Sequence, residues 1–227
     1  THSAAAFAAL VAALPEDIAP ALIAYAFLPL VQRFYPAAAP KPALHLQGTT
    51  GTGKSEIASL LASLYGVFTR DMPPAQWGDT VNAVESLGYA LADSLYWVDD
   101  YKSAYADERS FTRFLQSYSR GMGRGRLARD SKIKAERACR GHVLSTGETT
   151  LEGEASVLAR MLVLKVAPWG ERDPGGQTFA RADKQRERLS GFTVAFARWI
   201  AGQADSRALM PKLAQAFTEG ARGLRET

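Results

Sequence analysis

The run Gly48-Thr49-Thr50-Gly51-Thr52-Gly53-Lys54-Ser55 fills every fixed position of the phosphate-binding pattern G-x-x-x-x-G-K-[ST]. Glycines there let successive backbone N–H groups turn inward around phosphate oxygens, where a side chain would block the approach. Lys54 supplies a flexible point charge for β- and γ-phosphates, and the Ser55 hydroxyl is a ligand of the type Mg²⁺ takes. A second run, Ser94-Leu95-Tyr96-Trp97-Val98-Asp99-Asp100, ends an apolar stretch on two acids. That is the Walker B pattern: one carboxylate holds the hydrated cation, assigned to Asp99, and the next positions the attacking water, assigned to Asp100. Further on, Gly141-His142-Val143-Leu144-Ser145-Thr146 closes on hydroxyls. Thr146, with Ser145 as substitute, is the candidate that bonds the γ-phosphate or the water. Arg160, just before the apolar run Leu162–Val166, is a candidate arginine finger for a neighbouring subunit; its plainer alternative is a surface ion pair.

These groups need a scaffold that brings strand ends to one edge. Ala43–Gln47 reads as a strand running into the loop, and Glu56–Leu64 leaves it with helical spacing, so that the positive end of the helix faces the phosphates. Gly66–Thr69 predicts a short strand, Met72–Gly78 a turn-rich segment, Thr80–Ala92 and Asp107–Gly121 helices. Before the loop, Ser3–Phe34 reads as a helical prelude ending in the Pro-rich connector 35–42, and from Phe179 onward the pattern is helical again, a lid in which Arg186 could touch phosphate. The expectation is a three-layer α/β P-loop fold. It has five mostly parallel strands with the loop after the central first strand, a prelude and linker over 1–42, a nucleotide-binding core over 43–170 and a helical lid over 171–227.

Between Gly121 and Gly141 cations accumulate, with Arg124, Arg126, Arg129, Lys132 and Lys134 around a turn at Asp130-Ser131. Two short strands there form a basic hairpin, the electrostatic footprint of a nucleic-acid backbone. A solvated loop, or an arginine (Arg124 or Arg126) aimed into a neighbour's site, are the alternatives.

The chain has 227 residues, 47% hydrophobic and 22% charged, the composition of an ordinary globular protein with one substantial core. The longest apolar run, Ile18–Val31, is too short for a membrane span and contains Pro20 and Pro29. The alanine-rich beginning lacks a basic leader and cleavage arrangement, and the single cysteine, Cys139, excludes an internal disulfide and suits a reducing cytoplasm.

Taken in order, Gly48–Ser55, Trp77–Glu85, Val98-Asp99-Asp100, Gly121–Arg126, Leu144–Glu148 and Ala159-Arg160 resemble the AAA+ ATPase module of primase–helicase proteins of plasmids, phages and integrated mobile elements. The resemblance implies ATP and Mg²⁺ as cofactors and a homo-oligomeric, hexameric ring. It also implies a strand of DNA, single-stranded or forked, gripped by the hairpin before the sensor strand. The expected activity is that of an ATP-driven helicase or translocase. Two alternatives stay open: a nucleotide-dependent assembly or regulatory ATPase that does not move on DNA, and a small-molecule kinase.

Overall fold

The computed structural model describes residues 2–34, 41–101, 108–121, 126–127, 133–134, 138–149, 155, 159–168, 173, 175–203, 211 and 215. Seven helices and seven strands are formed by these residues: α1 (His2–Ala13), α2 (Ala19–Val31), β1 (Ala43–Gln47), α3 (Lys54–Ala62), β2 (Ala75–Gln76), α4 (Val81–Ala90), β3 (Leu95–Tyr101), α5 (Glu108–Ser119), β4 (Arg126–Leu127), β5 (Ile133–Lys134), β6 (His142–Gly147), β7 (Met161–Lys165), α6 (Gln177–Asp183) and α7 (Leu189–Gly202). Five strands make one parallel sheet in the order β2-β3-β6-β1-β7. The loop-bearing β1 is therefore an inner strand beside β6, which holds the middle place expected for it. The short strand expected at 66–69 is absent; the edge strand is Ala75–Gln76, inside the segment expected to be only turns. Two residues pairing with Val98 and Asp99 suffice for an edge strand, too few to leave a period in the sequence.

Strand parity divides the core into two layers. Leu44, Leu46, Leu95, Trp97 and Leu144 face one cluster with α1, α2, α3, α6 and α7; Ala43, Tyr96, Val98 and Val143 face the other, with Trp77 and the α5 residues Phe111, Phe114, Leu115 and Tyr118. The spacing of those four α5 residues is that of one helix face, and each is buried. Burial on both sides explains why β1 and β6 lack the strict apolar–polar alternation of a half-exposed strand.

The helices α1 and α2 meet α6 and α7. α1 packs on α6 and α7, and Phe7 stacks on Phe192 with ring centroids 3.9 Å apart while Phe27 closes on Phe196 at 5.0 Å. α2 starts with proline in its first turn, a position whose N–H has no intrahelical partner, and continues through Pro29. Arg186 lies under this layer. It is buried, and its guanidinium donates to Asp183, to Ser59 Oγ at 3.1 Å, to Ser63 Oγ at 3.2 Å and to the Phe68 carbonyl. That corrects the expectation of a phosphate contact: Arg186 braces the underside of α3.

Candidate functional site

The run Gly48–Ser55 bends as its glycines allow. Gly51 and Gly53 have φ of +84° and +82°, and Gly53 is the residue from which α3 departs. Gly48 has a different reason: a Cβ there would stand 2.7 Å from Thr52 Oγ1 and 2.9 Å from the Val166 carbonyl. Thr52 Oγ1 donates to the Thr49 carbonyl at 2.9 Å, and Lys54 Nζ donates to the same carbonyl at 2.8 Å, so the lysine arches back over its own loop. Partial burial lowers the Lys54 pKa, against the opposing pull of Glu148 first and then of Asp99, Asp100 and Glu56.

A cavity of about 590 Å³ opens over the loop, lined among others by Lys54, Ser55, Asp99, Asp100, Thr146 and Glu148. Ser55 Oγ donates to Asp99 Oδ1 at 3.0 Å, and Thr146 Oγ1 donates to the same oxygen. Thr146 is on the α3 face of β6 because it shares parity with Leu144. Ser145, one residue earlier, faces the opposite layer and bonds Trp77 and His45 instead, so it is no substitute for Thr146.

Two consecutive residues of a regular strand point to opposite faces, yet Asp99 and Asp100 both line the cavity. The β3–β6 register explains this: Val98 pairs with Ser145, but Tyr101 rather than Asp100 pairs with Gly147. One extra residue is bulged out of β3, Asp100 takes φ +58°, and its N–H donates to Thr146 Oγ1 at 3.2 Å. Thr146 thus holds both acids.

The Ser55 hydroxyl and the Asp99 carboxylate, 3.0 Å apart, offer oxygen donors of the kind a hard divalent cation such as Mg²⁺ takes. Among the described residues no group of three or more His, Cys, Asp or Glu could by itself hold a metal ion. Mg²⁺ does not need one, since it is commonly held by one or two side chains together with substrate phosphates and water.

Arg160 stands at the other end of the sheet. Its carbonyl accepts from Ala43 N, at the start of β1, and its Nε donates to Ser119 Oγ at 3.0 Å. A strand of five residues separates it from the loop of its own chain, about 16 Å at the usual rise. Of the basic hairpin, β4 and β5 pair antiparallel with Arg126 opposite Lys134 and Leu127 opposite Ile133. Arg124, Arg129 and Lys132 lie outside the described residues.

Sequence reasoning did not assign Glu148, His45, Phe179 or Arg70. Glu148 accepts from Thr50 Oγ1, and Phe179 and Arg70 line the cavity. His45 had a legible signal, a polar residue inside an otherwise apolar buried strand. Arg70, in an irregular connection, had none.

Residues 17–138, more than half of the chain, match the family model described as "Domain of unknown function (DUF927)". No curated protein matches the chain. Among solved structures it resembles one described as "SCCmec type IV Cch - active helicase", with a TM-score of 0.57 and 16% identity over 87% of this chain and 35% of that one. It also resembles a JCV helicase bound to a phenoxyphenyl acetamide compound, with a TM-score of 0.50 and 14% identity over 94% of this chain and 59% of the other. The chain therefore spans about a third and about three fifths of these two proteins. At such identities the likeness is one of fold, and it fits a P-loop NTPase-like α/β arrangement.

Proposed function

The chain belongs to the DUF927 family, and from that premise we propose that it is an ATP-hydrolysing P-loop motor of AAA+ type, acting as a DNA helicase or translocase in the replication of a mobile element. The observation that carries the reading is the 3.0 Å hydrogen bond from Ser55 to Asp99. It joins two segments 44 residues apart in the chain at the mouth of one cavity that also holds Lys54. Backbone N–H groups of Gly48–Ser55 and the α3 N-terminus bind the phosphates, and Lys54 exchanges the Thr49 carbonyl for phosphate oxygens. Ser55 and Asp99 hold Mg²⁺, which when bound neutralises charge building on the transferred phosphoryl group. Thr146 fixes Asp99 and Asp100 and senses the γ-phosphate, while Asp100, re-aimed by the bulge, orients water. Phe179 brings the C-terminal helices to the cavity wall, as a lid requires. Arg160, remote from its own loop, completes a neighbour's site in a homo-oligomeric ring, and Arg124, Arg126, Arg129, Lys132 and Lys134 grip the DNA backbone.

Steady-state ATP hydrolysis with and without single-stranded DNA, at two salt concentrations, tests the motor reading. Stimulation by DNA that weakens with salt and disappears when Lys132 and Lys134 are neutralised is expected, because backbone contacts release counterions. A rate indifferent to DNA at both salts would leave an assembly or regulatory ATPase instead.

A further inference from the structure

A buried chain of hydrogen bonds crosses the sheet on the face away from α3 and ends beside the cavity. Trp77 Nε1 can only donate, and it does so to Ser145 Oγ at 2.8 Å. Ser145 Oγ is also 2.9 Å from His45 Nδ1, and His45 Nε2 is 3.2 Å from the Thr149 carbonyl. The carbonyl can only accept, so Nε2 carries the proton, Nδ1 accepts from Ser145, and each hydrogen bond has a defined direction. His45 is fully buried, and burial holds its pKa down to about 4, which keeps this neutral tautomer. The same ring fixes Gly147: a Cβ there would meet His45 Cε1 at 3.0 Å and Tyr101 O at 2.6 Å. His45 therefore grips the backbone on both sides of Glu148, by packing at Gly147 and by a hydrogen bond at Thr149.

Glu148 projects from this clamp into the cavity and accepts from the Thr50 hydroxyl on the phosphate loop. Of the surrounding carboxylates it is the one whose charge acts most strongly on the Lys54 ammonium, ahead of Asp99 and Asp100. Lys54 is the group expected at the γ-phosphate, and Glu148 lines the same cavity, held against the phosphate loop through Thr50. Asp99 is committed to Ser55 and Thr146, and Asp100 is one methylene shorter and tied to the bulge.

We propose that Glu148 is the carboxylate that takes the proton of the attacking water, and that His45 is its positioning residue. The inference rests on the nucleotide-hydrolysing reading above. The water oxygen forms the new bond to the γ-phosphorus as the bond to the β,γ-bridging oxygen breaks. The electron pair leaves with the nucleoside diphosphate, and the water's proton passes to Glu148 and on to the released phosphate.

Four variants test this, read by kcat, KM and equilibrium nucleotide binding. Glu148→Gln is expected to lower kcat about 100-fold with the nucleotide Kd changed less than about threefold. His45→Leu, which loses both hydrogen bonds, is expected to lower kcat about 10- to 100-fold, again with little change in KM. His45→Gln, whose amide can donate to the Thr149 carbonyl, is expected to restore most of that rate. His45→Leu combined with Glu148→Gln is expected to be no slower than Glu148→Gln alone, because both act through one group. Turnover of Glu148→Gln within twofold of the natural protein would overturn the assignment. Additive losses in the double variant, or a His45→Gln as slow as His45→Leu, would remove His45 from it. If His45→Leu does not fold, Glu148→Gln and His45→Gln decide. Full activity in Lys54→Ala is a different failure, that of the phosphate-loop reading itself.

Discussion

Replacing Arg186 by methionine separates a brace from a phosphate sensor. The side chain is buried at 7% exposure, and removing its guanidinium leaves the Ser59 and Ser63 hydroxyls and the Phe68 carbonyl to find other partners. Its ionic partner Asp183 has a side chain 49% exposed, so water can compensate that charge and the ion pair contributes little. Losing three hydrogen bonds to a charged donor, two of them buried and one part-buried, costs about 1.5 kcal/mol each at the low end, partly offset by the apolar methionine stem, which leaves about 3 kcal/mol. For a chain of this length that lowers Tm by roughly 6–12 °C. Denaturant titration and thermal melts give the loss directly. Nucleotide affinity, measured well below the new Tm, is expected to stay within about threefold, because none of the Arg186 contacts above reaches the cavity. A protein of unchanged stability that binds nucleotide tenfold more weakly would refute this placement of Arg186.

Acid is expected to destabilise the fold before the carboxylates titrate. Burial lowers His45 to about 4 and His142 to about 3, both below the unfolded value, so the unfolded chain binds more protons as pH falls from about 6.5. Stability is then full above pH 6.5 and declines toward pH 4 by on the order of 5 kcal/mol, and His142→Gln roughly halves the slope; urea titrations at pH 7.5, 5.5 and 4.5 measure it. Gly147→Ala places a Cβ 2.6 Å from the Tyr101 carbonyl and 2.8 Å from Tyr101 Cβ, contacts that backbone must move to relieve. A loss of about 1–3 kcal/mol together with a slowed ATPase is expected; a variant equal to the natural protein in both would show that this strand pair is not tightly held.

The bend of the Gly48–Ser55 loop was legible because two of its glycines, Gly51 and Gly53, answer a local demand for positive φ. β1 and β3 were legible because buried parallel strands are short, mostly apolar runs, β6 by its Val143-Leu144 pair, and β7 by its apolar letters although it is a partly exposed edge strand. The acids near the end of β3 were recognisable as a pair, but the reason both reach the cavity was not. A bulge is a matter of register between β3 and β6, and no residue in Val98-Asp99-Asp100-Tyr101 announces it. Ser145 and Thr146 were interchangeable as letters and opposite in the fold, because parity counts from a pairing the sequence does not print. Arg186 misled for a related reason: an arginine in a C-terminal helical layer has the same pattern whether it faces a ligand or the hydroxyls of Ser59 and Ser63. Glu148 was visible as an acid ending a strand, but its place depends on His45, 103 residues earlier, and on a hydrogen bond through Thr149.

Phosphate release from ATP in the presence of Mg²⁺, by the natural chain and by Lys54→Ala, tests the central claim most directly. Lys54 lines the cavity together with Ser55, Asp99, Asp100 and Thr146, and its ammonium now rests on the Thr49 carbonyl. Hydrolysis by the natural chain that drops at least about 100-fold in Lys54→Ala, with the fold intact by circular dichroism, is the predicted result. Equal rates in the two proteins would contradict it.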